Sequence, residues 1–251
     1  MRSPLGALAG AVQFLTRMPV PRRLSGAATL PEAAPYFPAV GAALGLAAGC
    51  IDTSLRPHLT GAAAAVVTLL LLVLATGALH EDGLADCADG FGGGARSRER
   101  ILAIMRDSRV GSFGAVAVAL SLLMRTVLIA ALPLGHAVTS MVCAETLSRW
   151  SVLPLGALLP PARTALDHAG QGAALARRLS SSTCVLGTLI AVAVTAGVLG
   201  WGAWEPWAVC IALTAWSASY FYRRIGGVTG DCLGALIQVV AIGVYACEAW
   251  R

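Results

Sequence analysis

Asp82, Asp86 and Asp89 are spaced i, i+4, i+7, so on a helix their carboxylates project from one face, one above another. They belong to the stretch His80 to Gly114, which also holds Glu81 and Asp107 as further acids able to bind a cation. Stacked carboxylates beside an apolar segment are costly unless a divalent cation or a cationic substrate group sits among them. Hard oxygen donors of this kind suit magnesium, manganese or calcium rather than zinc. Behind the acids come Gly90 and Gly92 to Gly94, whose backbone can approach a phosphate closely. Arg96, Arg98, Arg100, Arg106 and Arg109 follow, planar donors matched to phosphate oxygens. Carboxylates that can hold metal, beside glycines and arginines that can hold phosphate, point to metal-assisted phosphoryl or nucleotidyl chemistry.

A second constellation, Gly226-Gly227-Val228-Thr229-Gly230-Asp231, directly precedes the last apolar run. A glycine turn leading into a helix start is an anion site in waiting, because free amides and the helix dipole favour phosphate. The plainer alternative is a tight turn in which Asp231 only caps the helix. Gly111 and Gly114, after Asp107-Ser108, form a turn of the same kind. His80 is either a general base or a polar residue at a helix end. Arg125, Glu145 and Arg149 lie inside apolar runs; the last two, four apart, either form an ion pair that eases their burial or line a polar cavity. Trp201, Trp204 and Trp207 read as an interfacial aromatic belt.

The elements that must position these groups are membrane helices. The chain is 57% hydrophobic and 12% charged, with mean hydropathy +0.75, far from the roughly one-quarter charged residues of soluble domains. Its net charge of +5 is carried by arginine alone, which fits membrane topology better than a nucleic-acid surface. Seven cysteines occur singly, with no CxxC pair, so neither a disulfide framework nor a zinc site is indicated. Residues 4–18 predict a short interfacial or re-entrant helix, stopped by Arg17, Pro19 and Pro21 and retained rather than cleaved. Spans are expected at 36–54, 61–79, 113–132, 138–158, 183–201, 206–222 and 233–250, with a loop at 159–182. Gly41, Gly45 and Gly49 give the first of these a small-xxx-small face for close helix packing. Ser97 is a candidate N-cap for a short helix that buries Ile101, Ile104 and Met105 and lies on the membrane surface. With a cytoplasmic N-terminus, seven spans put the arginines, apart from those inside spans, almost all on the cytoplasmic side; only Arg56 and Arg251 lie opposite. The acidic stretch then faces the cytoplasm. The whole chain, 1–251, reads as a single all-α, integral-membrane catalytic domain.

The residues are specific enough to support a resemblance. His80-Glu81-Asp82-Gly83-Leu84-Ala85-Asp86, Ala88-Asp89-Gly90, Met105-Arg106-Asp107-Ser108 with Gly111 and Gly114, and Gly226-Gly227 with Thr229-Gly230-Asp231 closely resemble the cobalamin synthase family, adenosylcobinamide-GDP ribazoletransferase. Phe14-Leu15-Thr16-Arg17 with Pro19-Val20-Pro21, and Ser148-Arg149, also look like family features, and the likeness runs through essentially the whole chain. The resemblance implies a multi-pass enzyme of the bacterial inner membrane with its site on the cytoplasmic face. It implies that α-ribazole or its 5'-phosphate attacks adenosylcobinamide-GDP, releasing GMP and yielding adenosylcobalamin or its 5'-phosphate, with Mg2+. The expected site has Asp82, Asp86, Asp89 and Asp231 at the metal. Asp107 and His80 complete the catalytic set. Arg96, Arg106, Ser108, Gly111, Gly114, Gly227, Thr229, Gly230 and Arg149 contact substrate phosphate. Where the family suggests a glutamate seven residues beyond Asp231, this chain has Gln238. Asp86 to Gly90 with Ala95-Arg96 also echo CDP-alcohol phosphotransferases, and an ion-coupled transporter is the alternative from another class. No nucleic-acid partner is expected, the lipid bilayer is, and homo-oligomerisation is left open.

Overall fold

A computed structural model describes residues 3–21, 24, 29–94, 97–162 and 179–250. Among them there is no strand, only helices and one isolated bridge between Pro161 and Val228. The main helices are α1 (Pro4–Leu15), α2 (Phe37–Leu55), α3 (Gly61–Thr76), α4 (Leu79–Gly93), α5 (Arg98–Ile104) and α6 (Ser112–Ala131). They continue as α7 (Ala137–Trp150), α8 (Val152–Leu158), α9 (Ser181–Leu199), α10 (Trp204–Ile225) and α11 (Gly230–Ala249). A single turn, Leu30–Ala33, and a 3-10 turn, Ala34–Tyr36, lead into α2.

By length and apolarity the described residues hold four stretches able to cross a membrane, or five if the bent pair α3 and α4 counts as one. Seven spans were expected from the sequence, and two features explain the difference. Ser181–Ile225 is one of the four stretches but comprises two expected spans, α9 and α10, joined by a 3-10 turn. The expected span 138–158 is broken at Ser151 into α7 and α8, and α7 has only 14 residues. The lipid-facing character of the bundle is plain on α6, where Val116, Leu120, Leu123 and Val127 are exposed. The tryptophan cluster divides. Trp201 and Trp204 are exposed, whereas Trp207 turns inward, donating to Thr195 Oγ1 at 2.9 Å and packing edge-on against Trp150.

The centre of the bundle is the pair α2 and α7. On α2 the residues facing α7 are the predicted glycines: a Cβ at Gly45 would lie 2.7 Å from Val142 Cα, and one at Gly49 would lie 2.6 Å from Val138 Cα. Only hydrogen at these positions lets the backbones approach this closely. The ends of the bundle are tied by arginines. At one end Arg56, held by Asp52 at 2.7 Å, donates to the carbonyls of Ile129 and Leu132 at the end of α6, satisfying acceptors that a helix C-terminus leaves open. Asp52, to which the sequence assigns no role, thereby aims a helix cap. About 30 Å away along α6, Arg224 donates to Phe91 O and Arg98 to Ala162 O.

Between α3 and α4 the chain turns through 88°. Gly77 ends α3 at φ +66°, and Ala78 follows at φ +57°, a left-handed conformation that costs a side-chain-bearing residue about 1–2 kcal/mol. Helix α4 therefore starts inside the bundle and runs outward. Glu81 meets Arg125, thirteen residues after Ser112, hence about 20 Å along α6. Asp89 meets the start of that same helix.

Candidate active site

Helices α4 and α11 cross where neither has a side chain. A Cβ on Gly83 would lie 2.9 Å from Asp231 O and 3.2 Å from Gly234 Cα. This contact brings Asp82 beside the first turn of α11. Thr229 is the N-cap of that helix, its hydroxyl accepting from Cys232 N at 3.3 Å. Asp231 is therefore not the cap. It lies in the first turn, accepts from Thr229 Oγ1 at 3.2 Å, and lines a cavity of about 250 Å3 together with Asp82, His80 and Gly230. Asp82 is exposed, Asp86 and Asp231 are half-buried, and His80 is buried.

The other expected site residues are placed differently. Asp89 is buried, its two oxygens accepting from Gly111 N at 2.7 Å and Gly114 N at 2.8 Å. It caps the N-terminus of α6 from another helix, so the amides of Gly111 and Gly114 meet a carboxylate of the protein rather than a substrate phosphate. The one-faced spacing of Asp82, Asp86 and Asp89 is real, but the third member serves α6. The glycines behind them are packing residues. Gly90 and Gly94 receive Ile101 and Met105, and Gly92 receives the ring of Phe113. Helix α5, capped by Ser97 as predicted, thus buries Ile101 against α4. Gly227 is required by close backbone contact with Pro160 and Ala162, where Val228 N donates to Pro160 O and Ala162 N to Val228 O, both at 2.9 Å. Asp107, Arg106 and Ser108 lie on the exposed turn after α5 and do not line the cavity. Asp107 pairs there with Arg109, whose hydrogen bonds hold the carboxyl down at about 2. Arg96 lies outside the described residues.

Behind the cavity is a buried polar network. Arg125 donates to Glu81 Oε1 at 3.2 Å and to Gln238 Oε1 at 2.9 Å, and Gln238 Nε2 donates to Glu81 Oε1 at 2.9 Å. Arg125 also lies 3.6 Å from Glu145, which pairs with Arg149 and accepts from Tyr245 OH at 2.9 Å. Two acids balance two arginines, all nearly inaccessible to solvent, as burial of charge demands. Of the two readings of Glu145 and Arg149, the geometry shows both parts: they are an ion pair, and Arg149 borders a small polar space shared with His80, Glu81, Arg125 and Gln238. The network spans α4, α6, α7 and α11 and so fixes the inner end of α4. His80 forms the partition, lining both this space and the open cavity. Its Nε2 has no hydrogen-bond partner among the described residues. Sequence reasoning did not foresee the roles of Arg125, Gln238 and Tyr245; charged or amide residues inside apolar runs were the available signal.

Among the described residues no group of three or more His, Cys, Asp or Glu converges as a metal site. Asp82 and Asp231 nonetheless bring hard oxygen donors to the same cavity. Magnesium commonly takes one or two protein carboxylates and completes its shell with substrate phosphate and water, so the residues present fit that ion.

A helical membrane protein with carboxylates from two helices gathered at the edge of an apolar cavity, backed by a neutralised polar core, is built as an integral membrane enzyme. A family model described as cobalamin-5-phosphate synthase matches residues 7–249. The chain belongs to that family. It is 40% identical over 256 residues to an adenosylcobinamide-GDP ribazoletransferase of Ralstonia nicotianae, covering 96% of this chain and 93% of the relative. A protein of the same name from Azorhizobium caulinodans is 42% identical over 251 residues, covering 95% and 93%. One from Mesorhizobium japonicum is 40% identical over 248 residues, covering 97% and 92%. No solved structure matches the chain.

Proposed function

We propose that this chain transfers the cobinamide phosphate of adenosylcobinamide-GDP to α-ribazole or its 5'-phosphate, the last stage of assembling the nucleotide loop of vitamin B12. A ribose hydroxyl oxygen bonds to the phosphorus nearer cobinamide. The bond from that phosphorus to the bridging oxygen breaks, and the oxygen leaves with GMP. The observation that carries this reading is that Asp82 from α4, Asp231 from α11 and His80 line the same cavity. A base there takes the hydroxyl proton, and the carboxylates hold the cation that a diphosphate requires. Asp82 and Asp231 would hold magnesium, which would neutralise diphosphate charge. His80, which lines the same cavity and whose Nε2 has no partner among the described residues, receives the hydroxyl proton. The amide of Gly230 stays as a candidate for contact with the leaving phosphate, because Gly230 lines the cavity. The arginine distribution over the seven expected spans supports an orientation with the cavity open to the cytoplasm, and the bacterial inner membrane is the location the family resemblance implies.

The test is GMP release by purified protein in lipid nanodiscs given adenosylcobinamide-GDP, α-ribazole and magnesium. Turnover that needs all three supports the proposal. Folded protein that releases no GMP under these conditions refutes it.

A further inference from the structure

Away from its acidic edge the cavity is apolar. Phe14, Phe37, Val152, Leu233 and Ile237 are among the apolar residues that line it, and the rings of Phe14 and Phe37 stack at 5.5 Å, 5° from parallel. The polar side chains lining it are His80, Asp82 and Asp231. At about 250 Å3 it falls below the ~300–1,000 Å3 usual for drug-sized ligands. A corrin macrocycle therefore lies outside it, and only a small flat group enters.

Two bases are present in the reaction proposed above, and they differ in polarity. Guanine carries donors and acceptors around most of its edge. In this cavity, where the polar groups sit at one side, several would lose water and gain no partner, each weakening binding by about tenfold. The benzimidazole of α-ribazole, once joined to ribose, keeps one ring nitrogen as its only polar edge atom. The remainder is apolar and matches aromatic and aliphatic walls. We infer that this cavity seats the benzimidazole base of the nucleophile, with its ribose directed toward Asp82, Asp231 and His80. The cavity is thus the specificity pocket for the accepted nucleoside, while the guanine nucleotide and corrin of the donor lie outside it. This rests on the reaction proposed above, and the experiment separates the two.

Ile237→Asn places an amide in the pocket wall, and Phe14→Leu reduces the aromatic wall at a half-buried position that perturbs folding less. Both are compared with wild type in nanodiscs, with folded protein quantified by size-exclusion profile and thermal melt. The expected result is a KM for α-ribazole raised about tenfold in Ile237→Asn and less in Phe14→Leu, with the KM for adenosylcobinamide-GDP unchanged. Free benzimidazole should inhibit competitively against α-ribazole and not against the donor, and guanosine should not compete with α-ribazole. A rise confined to the donor KM, or guanosine competing as well as benzimidazole, overturns the inference. Equilibrium dialysis of radiolabelled benzimidazole provides a readout independent of turnover. If wild type binds the base and Ile237→Asn weakens that binding while neither releases GMP, the reaction is wrong and the pocket assignment holds. If wild type releases GMP but shows no saturable benzimidazole binding, the pocket assignment is wrong and the reaction holds.

Discussion

Gln238 donates its side-chain N–H to Glu81 Oε1 at 2.9 Å, joining α11 to the inner end of α4. Its carbonyl oxygen simultaneously accepts from Arg125 at 2.9 Å and from Ser121 at 3.2 Å. A carboxylate could serve Arg125 but has no hydrogen to give Glu81, so the amide is the group that satisfies both neighbours. The departure from the expected glutamate thus has a local reason.

Replacing Gln238 by leucine keeps the volume and removes all three bonds. Glu81 and Arg125 remain buried with less than their full complement, at a cost of about 2–3 kcal/mol. Gln238→Leu should therefore show a lower thermal midpoint in nanodiscs and a looser α4, seen as faster amide exchange at residues 80–84. A midpoint equal to wild type would mean the network adds nothing to stability.

Asp89 separates a capping role from a metal role. Asp89→Ala leaves the amides of Gly111 and Gly114 without their acceptors and should destabilise the fold by about 1–2 kcal/mol. Asp89→Asn keeps one acceptor oxygen and should recover part of that loss. The magnesium concentration for half-maximal activity should change little in either variant. In Asp82→Asn and Asp231→Asn the order reverses, with activity falling steeply and the melting midpoint near wild type. A large shift in magnesium requirement for Asp89→Asn would restore Asp89 to the metal.

Local pattern carried much of this structure in the sequence. The glycine repeat on α2, the Ser97 cap, the short α1 and the helix start at Gly230 are all decided by residues within a few positions of one another. The partners across the bundle are not. Periodicity says which face of a helix is polar, but Glu81 and Arg125 are 44 positions apart, and Asp89 and Gly111 22. A carboxylate aimed at a helix start and one aimed at a cation have the same sequence signature. The glycines after Asp89 were equally ambiguous, since phosphate approach and side-chain packing both call for a missing Cβ. Phe14 came to the cavity through tertiary packing of α1, which no local rule predicts.

Asp107 offers a titration test outside the membrane segments. Arg109 holds its carboxyl at about 2, below the unfolded value of ~3.9. The folded pKa is depressed, so the stabilisation is complete above ~3.9 and is lost as pH falls through about 2. It is flat across pH 5–8 and contributes nothing to an activity profile in that range. The pair is exposed, so salt screens it. A carboxyl-carbon NMR titration should find Asp107 near 2 at low ionic strength and close to ~3.9 in Arg109→Gln. An unshifted Asp107 in wild type would show that the pair does not persist in solution.

The crossing at Gly83 joins fold to chemistry and makes the sharpest test of the two-carboxylate site. A methyl group on Gly83 would press on Asp231 O at 2.9 Å and Gly234 Cα at 3.2 Å. Both are backbone atoms that yield only if the helices separate. Overpacking of this kind costs about 1–3 kcal/mol and moves the first turn of α11 away from Asp82. A displacement near 1 Å at a reacting centre costs roughly 100-fold in rate. Gly83→Ala should therefore lose far more kcat than stability. Gly49→Ala, which crowds Val138 on the opposite helix pair, is the control: it should lower the melting midpoint by a similar amount while sparing turnover per folded molecule. Equal loss of kcat in both variants would show that activity follows global stability, and the placement of Asp231 beside Asp82 would lose its functional meaning.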